Sequence, residues 1–316
     1  VIILSSPIIA RIYEPEIFGL FAIYNAIVRL ISAISPLRYE MAIIIAEKNK
    51  DVKYLAIISL TFVFILVAIF SQVPIVFNYF NFSSKFILLI SKYPIIISLG
   101  VLFSGLVIVL LSINNRLGHF SDIASFKFIK PVTTSVFHII YGLFIKATAF
   151  GLFIGDIIGS LIGLIYLSLM LIKRYGLYSL RNVKLSRVLF LLKRYKNFPI
   201  YGTWNVLVNS LMLQLPVIII SYYFSVTIVG YYALSNRLLQ MPMSIFNSGV
   251  SQVFLKNAVD NKLSSDIGIL VTKMLSRLIM IGIFPLILLG IIGQDLFTIV
   301  FGKQWVDAGL YAQILT

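Results

Sequence analysis

Cysteine is absent from all 316 residues, which excludes disulfide frameworks, thiolate metal sites and Cys-x-x-Cys redox motifs and leaves the redox compartment unreadable. Acid is scarce, with 11 Asp and Glu against 26 Lys and Arg. Charged residues make up only 12% of the chain, where soluble domains average about 25%. The two histidines, His119 and His138, have no second ligand or triad partner at recognisable spacing and read as structural. No Gly-rich phosphate loop, metal cluster or pair of catalytic carboxylates occurs. These gaps argue against an enzyme and give no reason to expect a metal or cofactor.

What remains is apolar. Hydrophobic residues make up 60% of the chain and the mean hydropathy is +1.02, so a bilayer is the expected solvent. The net charge of +15 would suit nucleic acid only if it gathered on one soluble face. The cations instead lie in short runs between apolar stretches. That pattern points to membrane topology, with anionic headgroups or an anionic lipid-linked substrate as partners and no nucleic acid. The chain opens at Val1 inside one apolar stretch and stops at Thr316 inside another, and is expected to be cut at both ends.

Runs long enough to cross about 30 Å of hydrocarbon cover 1–10, 17–37, 52–77, 86–113, 131–145, 150–172, 200–224, 229–250 and 274–292, with a last segment opening near Trp305. Nineteen loop cations fall on one side of this map and five on the other, which makes the 173–199 loop cytosolic. The five are Arg11, Lys85, Lys92, Lys146 and Lys303. Lys173 to Lys196 carries eight cations, no acid and the periodic set Leu185, Val188, Leu189 and Leu192, predicting an amphipathic helix on the headgroups. It divides the chain into an N-terminal lobe 1–172, a linker 173–199 and a C-terminal lobe 200–316. A repeat supports the division: Gly19-Leu-Phe-Ala22-Ile-Tyr-Asn25 matches Gly230-Tyr-Tyr-Ala233-Leu-Ser-Asn236. Parallel repeats of this kind imply a two-lobed transporter.

Three polar stripes run along spans otherwise made of Ile, Leu and Phe. They are Asn25, Arg29, Ser32 and Pro36; Asn236, Gln240 and Asn247 with Arg237 beside them; and Tyr201, Asn205 and Asn209. Such stripes should face a bundle interior or a wet cavity. Arg29 and Arg237 lie about 12 Å deep at 1.5 Å per residue, on helices related by the repeat. One reading makes them forked donors to a phosphate or pyrophosphate from opposite walls; the other pairs them with Asp156 or Glu40. Asp156 sits among Gly151, Gly155, Gly159 and Gly163, a stripe that lets a neighbouring helix approach closely. It is a candidate for a coupling proton or cation, or the partner of an arginine. Pro94, Pro216 and Pro242 are expected to kink their spans.

Four stretches resemble the polysaccharide transporter family, the O-antigen unit flippases of the multidrug/oligosaccharidyl-lipid/polysaccharide exporter superfamily. They are Ser6-Pro7 through Gly19, Leu37-Arg38-Tyr39-Glu40-Met-Ala42, Gln214-Leu-Pro216 through Ala233, and Phe301-Gly302 through Leu315. The resemblance implies an all-α polytopic transmembrane bundle of two pseudo-symmetric six-helix lobes, the second truncated here. It implies a flippase of the bacterial inner membrane that passes a polyprenyl-pyrophosphate-linked oligosaccharide through a cationic cavity by alternating access. A polysaccharide polymerase and a chain-length regulator become candidate partners. Arg11 and Arg38 fall within the resembling stretches and join the candidate phosphate contacts. A cation-coupled drug antiporter of the same superfamily should instead show acidic cavity residues. A glycolipid polymerase or ligase should carry a sizeable external loop, whereas every external loop here is short.

Overall fold

The computed structural model describes residues 2–79, 92–175, 184–240, 276 and 286–316. Every regular element among them is helical: α1 (Ile2–Ile12), α2 (Pro15–Ile34), α3 (Tyr39–Ile45), α4 (Asn49–Tyr79), α5 (Pro94–Arg116), α6 (Phe120–Phe144), α7 (Ala149–Tyr175), α8 (Leu185–Arg194), a π-turn (Phe198–Gly202), α9 (Thr203–Tyr223), α10 (226–240), α11 (Leu286–Phe301), a 3-10 turn (Lys303–Trp305) and α12 (Val306–Leu315). Among the described residues five helices are long and apolar enough to cross a membrane, at Pro15–Ile34, Lys50–Val73, Pro94–Arg116, Ala149–Arg174 and Phe198–Tyr223. With water absent from hydrocarbon, helices that satisfy their own backbone are the structures that such sequence can form. The chain is a multi-pass helical membrane protein.

Boundaries depart from the sequence map where polar residues interrupt a helix without ending it. The span expected at 131–145 is the second part of α6, which already starts at Phe120, so Lys127 and Lys130 are helical rather than loop residues. Pro94 does not kink a span; it opens α5, where its missing N–H costs no hydrogen bond. The run expected to stop at Ile292 continues as a helix through Gln294 and Asp295 to Phe301. Pro216 lies inside α9 as expected. Ser83, Lys85, Pro242, Asn247, Lys256, Lys262 and Lys273 lie outside the described residues.

Two compact units divide the chain: Val1–Ile2 with Leu20–Val226, and Ile3–Gly19 with Thr227–Thr316. In the first, α3, α4, α5 and α8 close over Tyr39, Ile43, Leu55, Val63, Val109 and Leu191. Beside them α6 packs against α7 along the glycine stripe. Side chains at Gly151, Gly155, Gly159 and Gly163 would run into Tyr141, His138, Thr134 and Phe126 in turn. The two helices run antiparallel here, with the glycines at four-residue spacing, so the glycines supply the close approach that the sequence implied. His138, buried in this contact, donates from Nε2 to the Leu152 carbonyl at 2.9 Å.

The second unit is built on Trp305, which is fully buried. Its indole N–H donates to the Ala10 carbonyl at 2.7 Å, and its ring meets Phe18 edge-on with centroids 5.0 Å apart. Gly230 of α10 faces the Pro15 carbonyl and the Gly19 amide, so the glycines that head the two copies of the repeat touch each other. Gly293 and Gly309 bring α11 and α12 together in the same way. Ser235 adds a hydroxyl bond to the Ala308 carbonyl at 2.5 Å.

Candidate functional site

α2 forms where Pro15 presets the first turn and Glu16 complements its positive end. Along it, Asn25 donates its amide to the Phe21 carbonyl one turn back, at 2.9 Å. Arg29, one turn further on, is exposed and makes no hydrogen bond or ion pair among the described residues. Both acids weighed as its partner have other cations: Lys130 lies 3.6 Å from Asp156, and Arg38 lies 3.3 Å from Glu40. The guanidinium, five residues before the end of α2 at Ile34, therefore keeps its forked donors available for an anion.

On α10, Gln240 donates to the Asn236 side-chain oxygen at 3.1 Å and Arg237 is half-buried. The repeat register aligns Asn25 with Asn236, Arg29 with Gln240 and Arg237 with Ala26. Each copy thus carries one arginine, at different positions of the motif. Asn205 and Asn209 are exposed one turn apart on α9, and Tyr201 is exposed in the π-turn before it.

Asp156 is partly buried against α6, and its pair with Lys130 lies within the glycine contact. Sequence reasoning missed Lys130 by placing it in a loop. The available signal was the set Phe126, Lys130, Thr134 and His138, which mirrors the glycine spacing on the facing helix.

Segments that the charge count assigns to one face meet in the first unit. Arg187 of α8 holds Asp51 with two bonds of 2.8 Å from Nη2 and one of 3.0 Å from Nε. Arg194 pairs with Glu47, and the Tyr39 hydroxyl donates to the Leu192 carbonyl at 3.2 Å. Arg116 caps the end of α3 through the Ile44 and Ala46 carbonyls, at 3.1 and 2.6 Å. Arg174 bonds Asp122 at 3.1 Å and touches the His119 ring nitrogen. Between α2 and α3, Leu37 and Arg38 both adopt positive φ, 48° and 62°. Non-glycine residues keep that backbone only where their surroundings enforce it. Arg38 lies against Gly202 of the π-turn.

In the second unit Arg11 donates to the Ile299 carbonyl at 2.7 Å and the Val300 carbonyl at 3.2 Å, capping the C-terminal end of α11. With Thr298, Phe301, Gly302, Lys303 and Gln304 it lines an open cleft of 470 Å³. Part of its donor set is thus engaged by the protein itself. Among the described residues no group of three His, Asp or Glu side chains is placed to hold a metal ion.

No curated protein matches the chain in sequence. Among solved structures, it is similar to a multidrug resistance MATE family transporter of the MOP superfamily in its inward-facing conformation. Identity is 13% and the TM-score 0.69, over 98% of this chain and 74% of that one. At that identity the likeness is one of fold. Residues 8–309 match the polysaccharide biosynthesis protein family over nearly the full length, including the stretches whose ends pack together around Trp305, and the chain belongs to that family.

Proposed function

We propose that the protein moves a polyprenyl-pyrophosphate-linked oligosaccharide across the bacterial inner membrane by alternating access, supplying units for surface polysaccharide such as O-antigen or capsule. The family ties the chain to polysaccharide biosynthesis and the fold is similar to that of a transporter. The observation that carries the substrate class is Arg29, a guanidinium within a span and without an acidic partner among the described residues. An arginine within a span is costly unless it has an anion to meet, and a pyrophosphate in transit offsets that cost. Arg237, Arg38 and Arg11, with Asn25, Asn236, Asn205, Asn209 and Gln240, extend the proposed path. A polymerase and a chain-length regulator would act on the delivered units.

Drug antiport needs a carboxylate free to meet a cation, and Asp156, an acid on the face of α7 that packs against α6, already lies beside Lys130. That favours the anionic substrate. Cells deleted for the gene and complemented with the intact protein test the reading. Surface polysaccharide should fall in the order Arg29 above Arg29→Lys above Arg29→Ala at equal membrane abundance, because Lys keeps the charge and loses the fork. Lipid-linked units should accumulate on the cytosolic face. Full activity of Arg29→Ala at normal abundance would remove Arg29 from the path.

A further inference from the structure

We propose that Glu40 is a proton-binding site whose occupancy holds α3 against the Phe198–Gly202 turn. Its side chain is only 4% exposed, and one carboxyl oxygen accepts from Arg38 Nη1 at 3.3 Å, long for a charge-assisted bond. The other oxygen is buried without a partner. Arg38 Nε is buried without a partner too, as is the hydroxyl of Thr203, the residue that follows Gly202. Gly202 is what lets Arg38 lie there, since a Cβ at that position would stand 3.3 Å from the Arg38 Cγ.

A carboxylate in this position loses its hydration for one stretched ion pair, whereas a neutral carboxyl loses far less. Burial accordingly holds the Glu40 carboxyl above its ordinary value, outweighing the opposing pull of its own backbone N–H and of Arg38. Other charged groups on the elements around α3 are held by other partners or, like Lys193 and Lys196, are exposed. Asp51 is held by Arg187, Glu47 by Arg194, and Arg116 by the Ile44 and Ala46 carbonyls. Lys53 lies over the Tyr54 ring, the Tyr39 hydroxyl is bonded to Leu192, and Lys48 and Lys50 are exposed. Arg38 is the charge that acts on Glu40.

The sign follows from linkage. A raised carboxyl means that the buried packing binds the proton more tightly than an open arrangement does. The packing is therefore fully supported below the ordinary carboxyl value of 4.5 and loosens as pH rises through the raised value. Loosening frees Leu37 and Arg38 from the surroundings that enforce their positive φ. It also pulls on α8 through the Tyr39–Leu192 bond. The assignment goes beyond the transport reading and holds for any cargo.

No cysteine occurs in these 316 residues, so single cysteines placed among them, in a protein with any cysteine elsewhere replaced, make a direct test available. In the reconstituted full-length protein, Thr203→Cys reports on the contact and exposed Ser186→Cys serves as the reference for the intrinsic effect of pH on thiolate reactivity. The Thr203→Cys to Ser186→Cys labelling-rate ratio should rise severalfold as pH climbs from acid to neutral, as proton linkage to a raised carboxyl requires. With Glu40→Gln, an isosteric stand-in for the protonated acid, the ratio should stay low and flat. Arg38→Gln should move the midpoint to higher pH by removing the opposing cation. A flat ratio in the Glu40 protein, or an unchanged rise in Glu40→Gln, overturns the assignment. Neither outcome bears on whether a lipid-linked oligosaccharide is the cargo.

Discussion

Gly159 has no room for a methyl group, because a Cβ would collide with the Thr134 hydroxyl and approach the Lys130 carbonyl to 3.1 Å. Gly159→Ala should therefore lower the thermal midpoint of the purified protein by an overpacking cost of about 1–3 kcal/mol. The Thr134 hydroxyl is itself buried without a partner, so Thr134→Ala alone should cost little. Added to Gly159→Ala it should recover most of the loss, the coupling expected of residues in direct contact. An unchanged midpoint for Gly159→Ala would mean that α6 and α7 do not meet here. The glycine half of this contact was legible in the sequence because four identical residues at fixed spacing stand out. Its other half was not, since Phe126, Lys130, Thr134 and His138 share a face but no chemical type. The partner of Asp156 was hidden for the same reason.

α8 shows the same division one level up. Its amphipathic character and basic charge were readable from Leu185, Val188, Leu189 and Leu192, but which way the apolar residues point was not. Leu191 is fully buried against α3 and α4, with Val188 and Leu192 packed beside it, while Leu185, Leu189 and Phe190 remain exposed. The helix is fastened to the protein on one face and presents apolar side chains among lysines on the other, an arrangement suited to a headgroup layer. Arg187 and Asp51 supply the fastening, and Asp51 is nearly buried. Hydrogen bonds to charged groups contribute about 1.5–3 kcal/mol. Asp51→Lys should therefore release α8 and speed tryptic cleavage after Lys193 or Arg194 in inside-out vesicles by about tenfold. Combining it with Arg187→Asp restores opposite charges and should restore protection. Equal cleavage in wild type and Asp51→Lys would show that the apolar contacts of Leu191 hold the helix without help from the ion pair.

For the molecule as a whole, the helical class and multi-pass character followed from composition, because 60% hydrophobic residues leave few soluble solutions. Which distant stretches meet did not follow, since apolar periodicity carries no pairing information. The structure joins the two ends of the resembling sequence, with Gln304 and Trp305 bonding the Ala10 carbonyl and Arg11 capping α11. Orientation in the bilayer rests on the nineteen-to-five cation count, a bias that persists when Lys127 and Lys130, which lie within α6, are left out. Its internal consistency is visible in the first unit, where Arg116, Arg174, Arg187 and Arg194, drawn from two segments that the count puts on one side, each find a partner at chain positions the count assigns to that side. Ser186 and Lys303 are exposed and belong to opposite sides of the count. With any cysteine elsewhere replaced, Ser186→Cys should be shielded from an impermeant thiol reagent in intact cells and react only after permeabilisation. Lys303→Cys should react at once. Labelling of Ser186→Cys from outside would invert the topology, place the Glu40 contact and α8 on the far face, and leave the proton there to be supplied from outside the cell.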